Sequence, residues 1–82
     1  MPLHYTEHAR RRVAKRQLQH EWIERVVANP MRIEADEVDP ALEHRLGVVP
    51  ELANRVLRVI VSMGEPKRVI TVHLDRNLKG KL

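Results

Sequence analysis

Arg55-Val56-Leu57-Arg58-Val59-Ile60-Val61-Ser62-Met63 is the densest β-forming run in the sequence, with Leu57, Val59, Val61 and Met63 on one face of a pleated ribbon and Val56, Arg58, Ile60 and Ser62 on the other. A strand apolar on both faces belongs at the centre of a sheet, where neighbours cover it. Downstream, Met63-Gly64-Glu65-Pro66-Lys67 has the composition of a hairpin loop. Arg68 to Leu74 then returns as a strand, with Ile70, Val72 and Leu74 on one face and Thr71 and His73 on the other. Upstream, Leu42, Leu46 and Val48, with polar Glu43 and Arg45 between them, read as a further strand, and Asp36 to Pro40 as a turn. Met31, Ile33 and Ala35 alternate with Arg32, Glu34 and Asp36, the pattern of a half-buried strand.

Before Pro30 the apolar period changes from strand-like to helical. Trp22, Ile23, Val26 and Val27 share one arc of a helix while Glu21, Glu24 and Arg25 share the other, and Asn29-Pro30 ends it because proline disfavours a helical residue before it. An earlier helix starts at the N-cap type Thr6, with Glu7 against the positive end of its dipole, and runs to about Arg16. Tyr5, Ala9 and Val13 give it a narrow apolar stripe, which puts His8 and Arg12 at the rim of what it covers. The expected fold is α+β, two N-terminal helices packed on one face of a four-stranded, mainly antiparallel sheet. The opposite face is expected to carry Arg45, Arg58, Thr71 and His73, and the tail from Arg76 to Leu82 to be mobile.

Eighty-two residues suit one small domain spanning 1–82. The absence of cysteine excludes disulfides, thiolate catalysis and cysteine-bound zinc. There is no apolar run of membrane-spanning length and no leader pattern, so a cytoplasmic protein with no membrane partner is expected. Net charge is +4 over residues 1–20, −5 over 21–43 and +5 over 44–82. Two basic ends around an acidic middle are expected to fold into one positive surface, the footprint of a nucleic-acid binder.

His8, Arg12 and Arg16 stand four apart and therefore line one helix edge. Guanidinium is planar, permanently charged and forked, which suits phosphate. RNA can be cleaved by its own 2′-hydroxyl if a protein takes that proton, returns one to the leaving oxygen and steadies the charge on phosphorus. His8, Arg12, Arg58, Thr71 and His73 are the residues expected to do this, with Arg10, Arg11, Lys15, Arg16, Arg45, Arg76, Lys79 and Lys81 holding the RNA and no cofactor. His4, His20 and His44 lack metal-ligand spacing, and Trp22 sits in the core arc and not on a base-stacking platform. The bland alternatives are that Arg12 and Arg16 pair with Glu34 or Asp36, and that Thr71 and His73 are plain strand residues.

The run His8-Ala9-Arg10-Arg11-Arg12-Val13-Ala14-Lys15-Arg16-Gln17-Leu18, the helix closed by Asn29-Pro30, Arg45, Val56 to Val61 and Val69-Ile70-Thr71-Val72 resemble a family of small uncharacterised bacterial proteins. That family is similar in layout to RelE-type toxins and the wider barnase, colicin and RelE ribonuclease superfamily. The resemblance implies a RelE-like domain, a metal-independent RNA endonuclease and an antitoxin partner, with His8, Arg12, Arg16, Arg45 and Thr71 as matching positions. RelE-type toxins often place a tyrosine or histidine near the C-terminus. No tyrosine follows Tyr5, which leaves His73. Two other readings stand beside this one: a non-catalytic nucleic-acid-binding module, and a protein-interaction or regulatory domain whose acidic middle segment and open sheet edge pair with a partner, an exposed apolar sheet face favouring such a partner or a homodimer.

Overall fold

Thr6 ties the two ends of the chain together. Its backbone is extended and its hydroxyl oxygen accepts the Ala9 N–H at 3.1 Å, starting helix α1 (Glu7–Lys15). The same hydroxyl donates to the Ile70 carbonyl at 2.9 Å, and the Thr6 N–H donates to Val69 at 3.1 Å. Strand β1 (His4–Tyr5) is thereby laid along β5 (Arg68–Asp75). Helix α1 ends where Gln17 turns left-handed at φ 55° and the Leu18 N–H reaches back to Val13 at 3.0 Å, a Schellman closure that also buries Leu18. Helix α2 (His20–Ala28), β2 (Arg32–Ala35), β3 (Leu42–Val49) and β4 (Arg55–Ser62) complete the computed structural model, which describes residues 3–64 and 66–82. Among the described residues no helix is long and apolar enough to cross a membrane.

The fold is α+β, but the expected four-stranded, mainly antiparallel sheet is corrected to a five-stranded mixed one in the order β1-β5-β4-β3-β2. β1 runs parallel to β5, with His4 opposite Arg68 and Tyr5 opposite Val69, and the other pairs are antiparallel. Two residues are too few to show an alternation, which is why β1 is invisible in the pattern.

Both helices cover one sheet face. Ala9, Val13, Leu18, Trp22, Ile23, Val26 and Val27 pack on Val49, Leu57, Val59, Val61, Val69 and Val72. A Cβ at Gly47 would stand 3.0 Å from a methyl of Val26, so the missing side chain is what lets α2 approach β3. Between Ile60 and Val61 the β4–β5 register slips by one residue, so Val69, Val72 and Leu74 face the helices and Ile70 is the extra residue of a bulge. Helix α2 lies over β3 and β4 and leaves β2 uncovered. Ile33, expected on the buried face of a half-buried strand, is therefore 53% exposed, and Met31, expected on the same face, is 59% exposed beside a hollow it lines with the end of α2.

The tail, expected to be mobile, folds back. Asp75 accepts the Asn77 N–H at 3.0 Å and caps a 3-10 turn at Arg76–Leu78 that packs on β4. Leu46 and Val56 are fully buried on the sheet face away from the helices, beneath this side of the molecule.

Candidate nucleic-acid interface

Past the Tyr5–Val69 pair no strand among the described residues covers the outer edge of β5, and α1 runs alongside it instead. A four-residue helical step advances about 6 Å and a two-residue strand step about 6.6 Å, so side chains spaced this way stay abreast over several steps. His8 Nε2 lies 3.0 Å from the Thr71 hydroxyl, and Arg12 Nε donates to the Val72 carbonyl at 3.0 Å, closing an edge group that lacks a strand partner. One step on, Arg12, Arg16, Arg55, His73, Leu74 and Arg76 line a hollow of about 340 Å³.

Carboxylate pairing separates these arginines from five of the other seven; Arg10 and Arg68 also have no carboxylate within 4.0 Å among the described residues, but neither lines this hollow. Arg11 pairs with Glu7 at 2.8 Å, Arg25 with Glu51 at 2.7 Å, Arg32 with Glu34 at 3.5 Å and Arg45 with Glu43 at 2.8 Å. Arg12, Arg16, Arg55 and Arg76 have no carboxylate within 4.0 Å among the described residues. Four uncompensated guanidiniums around one concavity repel one another, and an anion relieves that repulsion.

His73 is half-buried at the wall of the hollow. Burial pushes its pKa below the ordinary 6.5, and the charges of Arg58 and Arg12 push it the same way, against the pull of Asp75. The imidazole is therefore neutral at pH 7 and can accept a proton. As the pH falls below about 6.5, the unfolded chain binds a proton that folded His73 still refuses, so stability is complete above that value and declines beneath it. Denaturant titrations from about pH 7.5 to about pH 5 should show wild type losing more stability than His73→Asn. Identical pH dependence would contradict this placement. Tyr5 offers no such group, since burial and the nearby Glu24 push its phenol up to about 12.

Arg58, expected at the phosphate, is instead enclosed by acids on the helix-free face. Its Nε and Nη2 donate to Asp75 Oδ2 at 3.1 and 2.9 Å, and its Nη1 to Glu34 Oε1 at 3.0 Å. Nη1 also meets His44 Nδ1 at 2.7 Å. A guanidinium only donates, so Nδ1 accepts, and the His44 proton sits on Nε2 and is given to Asp36 Oδ1 at 2.7 Å. The Arg58 hydrogen bond holds Glu34 below the usual carboxylate range. Burial raises Asp75, but the bonds and charge of Arg58 outweigh it. Arg58 stands directly across the strand pair from His73 and reaches it through charge alone.

The remaining expected residues scatter. Arg45, expected on the face opposite the helices, is on the helix side, where Nη1 donates to Val27 at the end of α2 at 2.7 Å. Arg10, Arg11 and Lys15 are exposed on α1, and Lys79 lies beside Val48, Asn54 and Leu82 at a separate hollow, with exposed Lys81 further along the tail. Arg55 was not anticipated. The hairpin register that sets Val56 against Asp75 carries Arg55 beside Arg76, a proximity legible only once strands β4 and β5 are paired.

The family described as "Domain of unknown function (DUF4258)" matches residues 5–73, a span from Tyr5 through His73. No curated protein and no solved structure matches the chain.

Proposed function

Since the chain belongs to the DUF4258 family, a domain of unknown function, we propose from its own residues that the α1–β5 groove binds the phosphodiester backbone of RNA and cleaves it without a metal ion. The observation that carries this is the gathering of Arg12, Arg16, Arg55 and Arg76, all without carboxylate partners among the described residues, around a neutral His73. The arginines hold phosphates. His73 takes the proton of a 2′-hydroxyl, whose oxygen attacks the adjacent phosphorus as the bond to the 5′-oxygen breaks. His8, one strand step away at Thr71, returns a proton to that leaving oxygen, and Thr71 orients a phosphate oxygen through its hydroxyl. The products are a 2′,3′-cyclic phosphate and a 5′-hydroxyl.

The start His8-Ala9, Arg12, Arg16, which resembles a small bacterial family similar in layout to RelE-type toxins, supports extending the proposal to a cytoplasmic toxin restrained by an antitoxin. Induction in bacteria with and without the neighbouring gene tests that extension. Arrested growth with fragmented RNA, relieved by the neighbour, supports it, and normal growth with intact RNA rejects it.

Binding alone is tested by salt. Affinity for RNA is expected to fall steeply as salt rises, and Arg16→Ala or Arg76→Ala to flatten the logarithmic slope by about one unit each. Arg11→Ala, whose guanidinium is already paired with Glu7, should leave the slope nearly unchanged. A salt-independent association would reject a phosphate contact here.

A further inference from the structure

Strand β2 ends the sheet, and its outer edge has no partner among the described residues. The Asp36 N–H donates to Leu42 across β3 at 3.3 Å. By the alternation of antiparallel ladders, the backbone groups of Arg32 and Glu34 then also point toward β3, while those of Ile33 and Ala35 point outward. The side chains sort as well. Arg32 and Glu34 share the helix-free face, where Glu34 meets Arg58, and Ile33 and Ala35 share the other; Met31, just ahead of β2, lines a hollow with Arg25, Val26 and Asn29 at the end of α2. Met31 and Ile33 are among the four exposed large hydrophobic residues of the described part of the chain.

We propose that β2 pairs with β2 of a second copy of this chain, antiparallel about a two-fold axis at Ile33, making one continuous ten-stranded sheet. In that register Ile33 lies opposite Ile33 of the second copy, Met31 opposite Ala35 and Arg32 opposite Glu34. One face gains apolar pairs and the other two opposite-charge pairs. The outward N–H and C=O groups of Ile33 meet those of Ile33 in the second copy, while Ala35 lies opposite Met31, whose own N–H is already given to Leu46 at 2.8 Å, so the ladder is centred on Ile33. Arg32 and Glu34 then form a non-hydrogen-bonded pair, the closer of the two kinds for side chains.

The register is selected by charge. Sliding by two residues one way sets Arg32 on Arg32 at the axis, sliding the other way sets Glu34 on Glu34 and offers Arg32 only an Asp36 already held by His44, and sliding by one turns every side chain to the wrong face. An edge whose charges reject its own neighbouring registers and accept one fits a copy of itself, because the two-fold makes each residue answer its own complement. The same pairing leaves β5 and α1 at the two far ends of the joined sheet, so both arginine-lined grooves stay open.

Four residues make a short strand, so the association is weak and concentration-dependent. Sedimentation of the full chain is expected to move from 9.6 kDa toward twice that mass as concentration rises into the high micromolar range. The amide of Ile33 should gain protection from hydrogen exchange over the same range. Ile33→Lys, at an exposed side chain, should raise the dissociation constant about tenfold or more. Arg32→Glu should do likewise, and adding Glu34→Arg in the same chain should restore the dimer by reversing both pairs. Because Glu34 also contacts Arg58, Ile33→Lys and Arg32→Glu decide the matter if the double variant folds poorly. A chain that stays at 9.6 kDa at every concentration, or a dimer that survives both Ile33→Lys and Arg32→Glu, overturns the proposal.

Discussion

Replacing His73 with asparagine is expected to slow metal-free RNA cleavage by about 10²–10⁴-fold, the usual worth of a positioned general base. Asparagine keeps much of the shape and a polar tip in a half-buried site, so the hollow should not collapse. The arginines that hold the phosphates are untouched, so RNA affinity and its salt dependence should remain close to wild type. Separating rate from affinity is what makes the result diagnostic. A residue that merely shaped the groove would lower both together, whereas a base acts only once the 2′-oxygen begins to attack. The rate should also fall as the pH drops below the depressed pKa of His73, because protonation removes the accepting nitrogen. Cleavage by His73→Asn at the wild-type rate would remove the proposed mechanism while leaving the binding groove intact.

What the sequence made legible followed from period. Thr6 as N-cap, the stop at Asn29-Pro30 and the strands beginning near Arg32, Leu42, Arg55 and Arg68 are local events, and hydrophobic alternation marks them directly. The basic rim of His8, Arg12 and Arg16 was legible for the same reason, since spacing within one helix needs no knowledge of the rest. Features that depend on pairing between distant segments were not. Whether an arginine on a strand is free or engaged depends on the register of its neighbours. Arg58 meets Glu34 from two strands away and Asp75 from the adjacent one, while Arg45 falls on the other face at the end of α2. The bulge at Ile70 and the two-residue β1 escaped because each is a departure from alternation too small to register in composition.

Arg58→Ala is the second substitution expected to have a large effect, and it acts at a distance from any phosphate. The Arg58 and Asp75 side chains are each only 14% exposed, while Glu34 is 39% exposed and softened by water. Removing the cation leaves both carboxylates without their main partner and strips His44 Nδ1 of its donor, a loss of about 1–3 kcal/mol once the open side of the network is discounted. The second effect falls on His73. Arg58 helps hold its pKa down and Asp75 pulls it up, so with the arginine gone the imidazole takes a proton at higher pH. The acid limb of the cleavage profile should move upward, and the rate near neutrality should fall. Arg58→Lys keeps a charge without the forked geometry, so it should restore the pH profile more fully than the stability. The salt slope of RNA binding separates this indirect role from direct contact, because Arg58 is already neutralised by its own carboxylates. A slope unchanged in Arg58→Ala with a displaced pH profile fits a positioning residue. A slope reduced by about one unit with the profile in place would put Arg58 on the RNA after all.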